Sequence, residues 1–318
     1  MIPSEPDAVS TAEGIGLRSF PDHASVRSSL CQTCNAKKYN VMRKYFTVLS
    51  IAGSDPSGGA GIQADIKTIS ALGCYAMTAI TSLTAQNTTG VRSIMAASPA
   101  IVTDQIDMVM EDIPPTAVKT GMLCNHEVAE AVAERLKHYH IANLVVDPVM
   151  VSTSGSRLLS EDAIALITRE IFPLSTLITP NKSEAEALTG ETDPNRQAAV
   201  FSEMGCRNIL LKGGDSSDRD FKTDILYLDN CKKRIVLRAD AIDTVNTHGT
   251  GCTLSSAIAS YLALGYGLTE AVNAAKLYIT RALEAGAFIT TGKGHGPVNH
   301  FYSPRRLKNF NPSTFRNS

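Results

Sequence analysis

The residues best suited to chemistry lie in the string NTHGTGC, which spans residues 246–252 and precedes an apolar stretch with helical spacing. Gly249, Thr250 and Gly251 would begin that helix, where backbone amides lack intrahelical acceptors and the helix dipole is positive. Such a helix start can stabilise a transferring phosphoryl group. Cys252 follows in the same field, so we expect its thiol pKa to lie below that of an ordinary cysteine and its thiolate to act as a base.

Two alternatives to this assignment remain open. A cysteine at position 252 is also compatible with a small, buried residue that merely begins a helix. His248 lies beside the same glycines, and histidine is the ordinary choice for proton transfer near neutral pH. We favour Cys252 as the base, because His248 precedes the glycines and is better placed to shape their loop.

A second glycine-rich loop, GSDPSGGAG at residues 53–61, lies between a predicted strand and a predicted helix. Open α/β sheets bind ligands at this edge, where loops and helix N-termini converge. The spacing matches neither the dinucleotide fingerprint nor a phosphate-binding P-loop. The loop is therefore interpreted as either a ligand cradle or a tight structural turn.

Short β-branched runs alternate with amphipathic segments from residue 45 onward, which predicts an α/β fold with a mostly parallel sheet and crossover helices. Two further strands, at 223–228 and 233–237, are expected to form an antiparallel hairpin. The other predicted strands are 46–52, 76–83, 116–120, 142–147, 176–179 and 209–212. The predicted helices are 62–72, 101–111, 127–139, 161–171, 183–188, 251–264 and 269–285.

Composition and charge exclude several classes of protein. The chain has 318 residues, 43% hydrophobic and 19% charged, as in ordinary globular proteins. Its net charge of −1 favours neither nucleic acid nor anionic membranes as partners, and no apolar run is long enough to span a bilayer. The 7 cysteines lack disulfide-scaffold spacing, which indicates a reducing, cytoplasmic location. We therefore expect small-molecule partners; a homo-oligomer is compatible with the sequence.

The two ends of the chain differ from its centre. Residues 1–44 are rich in Ser, Ala and Pro without a helical or strand period, which predicts a disordered leader. Its acidic residues argue against an organelle transit peptide. The single α/β domain is expected to span residues 45–303, and a short basic tail to occupy residues 304–318.

Seven strings along the chain resemble, in the same order, those of the hydroxymethylpyrimidine/phosphomethylpyrimidine kinases, a branch of the ribokinase-like family. The strings are AGSDPSGGAGIQADIKT (52–68), LTAQNTTGV (83–91), KTGML (119–123), VVDPVM (145–150), TPNKSEA (179–185), LLKGGD (210–215) and NTHGTGCT (246–253). The resemblance covers about residues 46–302 and leaves only the leader and the tail outside it.

The resemblance implies a ribokinase-like three-layer α/β/α sandwich with a central, mostly parallel sheet. It also implies an ATP- and Mg²⁺-dependent kinase of thiamine biosynthesis. Such a kinase phosphorylates 4-amino-5-hydroxymethyl-2-methylpyrimidine and then converts the monophosphate to the diphosphate. Most ribokinase-like kinases carry Asp where this chain has Cys252, and the GTGC form is similar to the pyrimidine-kinase branch. Some enzymes of that branch accept pyridoxal, so a pyridoxal or pyridoxine kinase is the alternative.

The resemblance also implies a set of substrate-binding residues. Gln86 would grip the pyrimidine, since an amide offers a donor and an acceptor to an aminopyrimidine edge. Asp65 would be the carboxylate of the substrate site, although an acidic residue in a first helical turn also complements the helix dipole. Gly53 would lie in the same site, and Met122 and Val149 would either form apolar walls for the ring or belong to the ordinary core.

Four polar residues match the positions that the family places around the triphosphate and its magnesium. Lys212, Asn181 and Glu184 are expected to bind ATP, and Asp147 and Glu184 to bind Mg²⁺. These residue types are suitable, because Mg²⁺ prefers oxygen ligands and a lysine neutralises phosphate. The structural alternatives are a turn-forming Asp147 before a proline and a Glu184 that only complements a helix start.

Overall fold

The computed structural model describes residues 42–150, 159–213 and 220–312 of the chain. Within these residues, the strands are β1 (Lys44–Tyr45), β2 (Thr47–Ser54), β3 (Tyr75–Asn87), β4 (Gly90–Ala96), β5 (Ala117–Thr120), β6 (Leu144–Val146), β7 (Leu177–Ile178), β8 (Ile209–Leu211), β9 (Phe221–Leu228), β10 (Lys233–Asp240) and β11 (Asn309–Phe310). The α-helices are α1 (Gly61–Ala71), α2 (Pro99–Asp112), α3 (His126–His138), α4 (Glu161–Leu166), α5 (Lys182–Thr189), α6 (Pro194–Glu203), α7 (Thr250–Ala263) and α8 (Leu268–Gly286).

Nine of these strands form one sheet in the order β10-β9-β8-β7-β6-β5-β2-β3-β4. The strands from β8 to β3 in this order are parallel to their neighbours, whereas β4, β9 and β10 are antiparallel. The predicted parallel sheet is therefore confirmed, as is the hairpin of β9 and β10. Since parallel strands need crossover connections, their carboxyl ends meet at one edge, which positions the site.

Helices cover both faces of the sheet and produce three layers. On β2, Leu49 and Ile51 point into a core formed with α2, α3, α4 and α6, while Val48 between them points into a second core formed with α1, α7 and α8. This alternation follows from the period of two of a β-strand. The predicted three-layer α/β/α architecture is therefore confirmed. Among the described helices, none combines the length and the apolar character that crossing a bilayer requires.

Helix α6 and strand β4 are absent from the sequence-based prediction, as are the short strands β1 and β11. Helix α6 begins at Pro194 after Asp193, whose carboxylate accepts hydrogen bonds from the amides of Asn195 and Arg196. An N-cap aspartate followed by proline is a standard helix-start signal, and the sequence contained it. Strand β4 gave no such signal, because its side chains are largely exposed and it depends on pairing with β3.

The ends of the described chain pack against each other. Strand β1 pairs with β11, and the Phe46 and Phe310 rings lie 4.8 Å apart between centroids. The amides of Arg305 and Lys308 donate hydrogen bonds to carbonyls at the end of α1. Hydrogen bonds and ring packing thus hold residues 304–312, the first part of the predicted basic tail, on the domain. Residues 1–41 and 313–318, which include most of the predicted leader, lie outside the described residues.

We predict that Phe310→Ala lowers the free energy of unfolding by about 1–2 kcal/mol, because it removes one ring of a half-buried aromatic pair. Urea denaturation of the full chain measures this change. Phe288→Ala is the matched control, since that ring is 96% exposed, and it should leave the denaturation midpoint unchanged. Equal midpoints for the two variants would show that the C-terminal segment contributes nothing to stability.

Candidate active site

A cavity of about 730 Å³ opens at the carboxyl ends of the parallel strands. It brings together all but one of the residues predicted for the site from the sequence. Those that line it are Gly53, Gln86, Met122, Asp147, Val149, Asn181, Glu184, Lys212, Gly249, Thr250, Gly251 and Cys252. The remaining residue, Asp65, is not part of the lining.

The start of α7 forms one wall of the cavity. Gly249 is its N-cap with a φ of 78°, and a side chain there would lie 1.8 Å from the carbonyl oxygen of Gly59, so the two glycine-rich loops touch where only glycine fits. The amide of Thr250 donates to Thr247 at 3.2 Å and is not free for a phosphoryl group, contrary to our expectation. At Gly251, a Cβ atom would lie 3.3 Å from Lys212 Nζ, so the lysine stands directly against the first turn.

The thiol of Cys252 does not have the lowered pKa that its position suggests. Burial raises the pKa of Cys252 to about 11, and the nearby charge of Lys119 and a backbone hydrogen bond from Gly61 only partly oppose this effect. The expectation from the helix dipole is therefore wrong for the unliganded protein. Loss of water around the sulfur outweighs the field of a helix start, because desolvation penalises the thiolate directly.

A buried ion pair lies beneath the start of α7. Lys119 Nζ lies 2.9 Å from Asp65 Oδ2, and both side chains are fully buried. Asp65 also accepts hydrogen bonds from the hydroxyls of Ser50 and Ser256. The structure thus places Asp65 behind the cavity wall rather than in contact with a substrate, because its carboxylate is used to hold Lys119, which itself lines the cavity.

The predicted metal and nucleotide residues form a second charged cluster. Lys212 Nζ lies 2.9 Å from Asp147 Oδ1 and 3.9 Å from Glu184 Oε2. Asp147 also accepts hydrogen bonds from Thr179 and Ser255. Burial acts to raise the pKa of Asp147, but the charges of Lys212 and Lys119 outweigh it and lower that pKa. Burial raises the pKa of Glu184 to about 7, and the charge of Lys212 opposes this effect only in part. This one lysine is shared between the carboxylates of Asp147 and Glu184.

Asn181 and Glu184 also have a structural role, as the sequence allowed. The Asn181 side chain accepts from the Glu184 amide at 2.8 Å, and the Glu184 carboxylate accepts from the Asn181 amide at 2.8 Å. This reciprocal pair is a capping box at the start of α5. The cap holds the Glu184 side chain in one orientation beside Lys212.

The first glycine-rich loop is organised by Asp55, a residue that the sequence analysis did not single out. Its carboxylate accepts hydrogen bonds from the amides of Ser57, Gly59 and Ala60 and pairs with His248 Nε2 at 2.8 Å. The loop amides are therefore occupied by the chain itself, so the loop is a structural turn in this state. Asp before Pro is a common turn signal, and it was present in the string.

The amide of Gln86 lines the cavity beside His248. Its Oε1 atom lies 3.2 Å from Thr84 Oγ1, and its Nε2 atom lies 3.4 Å from His248 Nε2. Next to it, Gly53 provides space, since a side chain there would lie 2.7 Å from the terminal methyl of Met122. A further ion pair that the sequence analysis missed, Lys276 with Asp224 at 2.6 Å, also lines the cavity.

Comparisons with known proteins agree with this geometry. The sequence profile of the phosphomethylpyrimidine kinase family matches residues 55–299. A hydroxymethylpyrimidine/phosphomethylpyrimidine kinase of Rhizobium meliloti is 46% identical over 260 residues, which cover 80% of this chain and 96% of the relative. One from Escherichia coli is 43% identical over 266 residues, covering 82% and 99%. The chain spans only 54% of a 46% identical relative, the Thiamine biosynthesis bifunctional protein ThiED of Geobacter sulfurreducens.

Solved structures give the same family and fold. Phosphomethylpyrimidine kinase from Clostridium difficile superimposes with a TM-score of 0.65 at 45% identity, covering 75% of this chain and 99% of that one. Pyridoxal kinase from Staphylococcus aureus in complex with ADP reaches a TM-score of 0.74 at 30% identity, covering 84% and 97%. The profile match and these identities show that the chain belongs to the phosphomethylpyrimidine kinase family and is a phosphotransferase with the ribokinase-like fold.

Proposed function

We propose that the protein transfers the terminal phosphoryl group of ATP to the hydroxymethyl group of 4-amino-5-hydroxymethyl-2-methylpyrimidine and then to the resulting monophosphate. The observation that carries this proposal is that a single cavity contains an amide for the pyrimidine edge, a glycine-rich helix start with a thiol, and a lysine for phosphate. The relatives of 43% and 46% identity are named for both phosphorylations.

A pyridoxal kinase is the second candidate, since pyridoxal kinases superimpose with higher TM-scores, up to 0.74 against 0.65. The TM-score compares only the course of the backbone, whereas sequence identity compares the side chains, through which a substrate is recognised. The identity is 45% with the pyrimidine kinase and 30% with the pyridoxal kinase. We therefore favour the pyrimidine.

The roles assigned to the site residues follow from their chemistry. The Sγ atom of Cys252 accepts the proton of the substrate hydroxyl, and the Gly251 amide and Lys212 bind the transferring phosphoryl oxygens. Because burial holds the thiol protonated at neutral pH, the thiolate is a minor form there. Turnover by this route is therefore expected to increase with pH.

Asp147 and Glu184 fit a magnesium ion. No cluster of three or more His, Cys, Asp or Glu suited to a metal occurs in the described part of the chain, so the protein offers Mg²⁺ carboxylates rather than a complete cage. This suits Mg²⁺, which keeps several waters and binds one or two carboxylates together with substrate phosphates. Burial and the nearby charge of Asp147 raise the pKa of Glu184, and a cation bound beside it would favour the ionised carboxylate. When bound, the ion would neutralise charge on the triphosphate.

The proposal includes a reducing, cytosolic location. Free thiols are found among the described residues at Cys74, Cys124, Cys206, Cys231 and Cys252. Proteins of oxidising compartments more commonly pair their cysteines.

An assay with MgATP and three acceptors tests the proposal. The acceptors are the hydroxymethylpyrimidine, its monophosphate and pyridoxal, each followed by product formation. We expect both pyrimidines to be phosphorylated with a higher kcat/KM than pyridoxal. Preference for pyridoxal, or no transfer to either pyrimidine, would contradict the proposal.

We predict that Gln86→Leu raises the KM for the pyrimidine by roughly 5- to 150-fold, because an aliphatic side chain leaves the polar edge of the ring unpaired, at a cost of about 1–3 kcal/mol. The KM for ATP should change little, which provides an internal control for correct folding. Steady-state kinetics with each substrate varied in turn measures both constants. If the two constants are unchanged, Gln86 does not contact the substrate.

A further inference from the structure

The amide of Gln86 faces two groups whose hydrogens are already committed. Its Nε2 atom lies 3.4 Å from His248 Nε2, and its Oε1 atom lies 3.2 Å from Thr84 Oγ1. Amide oxygen and nitrogen exchange places by a half-turn, and the surrounding hydrogen bonds decide which arrangement is stable. The orientation of the amide therefore depends on whether each neighbour donates a hydrogen bond to Gln86 or accepts one from it.

The neighbour at the first end, His248, is a donor. Burial acts to raise the pKa of Asp55, but hydrogen bonds from His248, Ser57 and Ala60 outweigh it and lower this pKa to about 2. An ionised carboxylate only accepts hydrogen bonds, so the His248 Nε2 atom, 2.8 Å from Asp55 Oδ2, must carry a hydrogen. If an N–H group of Gln86 pointed at that nitrogen, two hydrogen-bond donors would face each other without an acceptor between them.

The neighbour at the second end, Thr84, is better suited as an acceptor. Its hydroxyl has one hydrogen, and that hydroxyl donates to the carbonyl of Ser54 at 3.0 Å. The Thr84 oxygen retains lone pairs, which an N–H group of Gln86 would satisfy. A half-turn of the amide therefore gives the Thr84 oxygen a donor and removes the pair of opposed donors at His248. The single Nε2 hydrogen of His248 is donated mainly to Asp55, and the Gln86 oxygen shares it from a greater distance.

We propose that the Gln86 side chain is held with its oxygen toward His248 and its nitrogen toward Thr84. Asp55 orients His248, and Ser54 orients Thr84. His248 and Thr84 are therefore positioning residues for the substrate. One N–H group and one oxygen lone pair of Gln86 then remain for a ligand. The amide orientation therefore decides which end of the ligand edge must carry the donor and which the acceptor.

This orientation selects a productive position of the ring, an argument that rests on the proposed function. In the substrate, the 4-amine lies between ring nitrogen N3 and the carbon that carries the hydroxymethyl group. The Gln86 oxygen accepts from the amine on the His248 side, and the Gln86 nitrogen donates to N3 on the Thr84 side. The hydroxymethyl group then points toward the side of His248, whose chain leads directly into Gly249 and Cys252. The opposite amide orientation would turn that group away from the loop.

The orientation itself is measured in the unliganded protein, so the result does not depend on turnover. Nuclear Overhauser effects from the side-chain amide hydrogens of Gln86, assigned by comparison with Gln86→Leu, report which neighbour the nitrogen faces. We expect contacts to the Thr84 methyl group. Contacts to the His248 ring hydrogens instead would overturn the proposal, even if the pyrimidine is the substrate.

Substrate discrimination tests the consequence. An analogue with an oxo group in place of the 4-amine reverses donor and acceptor along the edge, so the wild-type protein should prefer the amine. His248→Phe should reduce this kcat/KM ratio by about two- to tenfold, the range of one hydrogen bond. A purely structural defect would lower turnover of both compounds equally.

Three further variants complete this test. His295→Phe is the matched control, because this exposed histidine contacts the carbonyl of Val245 instead of Gln86, and it should leave the ratio unchanged. In a Gln86→Leu background, His248→Phe should have no further effect on the ratio. Thr84→Val gives an independent reading from the other end if His248→Phe does not fold. An unchanged ratio in folded His248→Phe or Thr84→Val would contradict the proposal.

Discussion

Replacement of Cys252 by alanine is expected to lower kcat by roughly 10²- to 10⁴-fold, as for the loss of a general base. Cys252 lines the cavity in the first turn of α7. Nucleotide binding should survive, because Lys212 and the carboxylates beside it are unaffected. Steady-state kinetics together with an ATP-binding titration measure the two effects separately.

The pH dependence checks this role independently. Burial raises the pKa of Cys252 to about 11, and deprotonation creates the base, so kcat/KM should rise with pH until about that value. Cys252→Asp should be less damaging than Cys252→Ala, and its rise should shift to lower pH, since a carboxylate ionises earlier. Cys231→Ala, on the hairpin turn away from the cavity, is the matched control. If Cys252→Ala keeps near-normal turnover and the same profile, the base is a different group, with His248 the next candidate.

The second large effect concerns stability. Lys119→Met should lower the free energy of unfolding by about 3–5 kcal/mol, because it leaves the Asp65 carboxylate buried without a counter-charge. The hydroxyls of Ser50 and Ser256 still donate to that carboxylate but bring no positive charge. Urea denaturation measures this change as a shift of the midpoint.

The double variant Lys119→Met with Asp65→Asn separates the charge from the packing. The asparagine oxygen can accept from one of the two serine hydroxyls and its NH₂ group can donate to the other, so the double variant should recover most of the lost stability. If the single and double variants are equally unstable, the cost comes from packing around the lysine stem, and the ion pair contributes little.

Local patterns explain why most of the fold was predictable. A strand buried on both faces, such as β2, is a continuous apolar run, and α1 repeats its apolar residues at helical spacing. Helix α6 was predictable but missed, since its Asp-Pro start was in the sequence. Strand β4 and the pairing of β1 with β11 were not predictable, because their side chains show little periodicity and their stability comes from distant partners.

The candidate site likewise has features that local sequence patterns predicted and features that they did not. The sequence by itself determined which residue types follow the parallel strands and the two glycine-rich loops, and one cavity contains all of those predicted except Asp65. The tertiary structure alone decided which partners these residues have and in which direction their pKa values shift. Asp65 pairs with a lysine 54 positions away, and Asp55 with a histidine 193 positions away. Burial overrides the helix field at Cys252. The physical reason is that burial and long-range charge pairing depend on which segments meet in space, and no local spacing of residues contains that information.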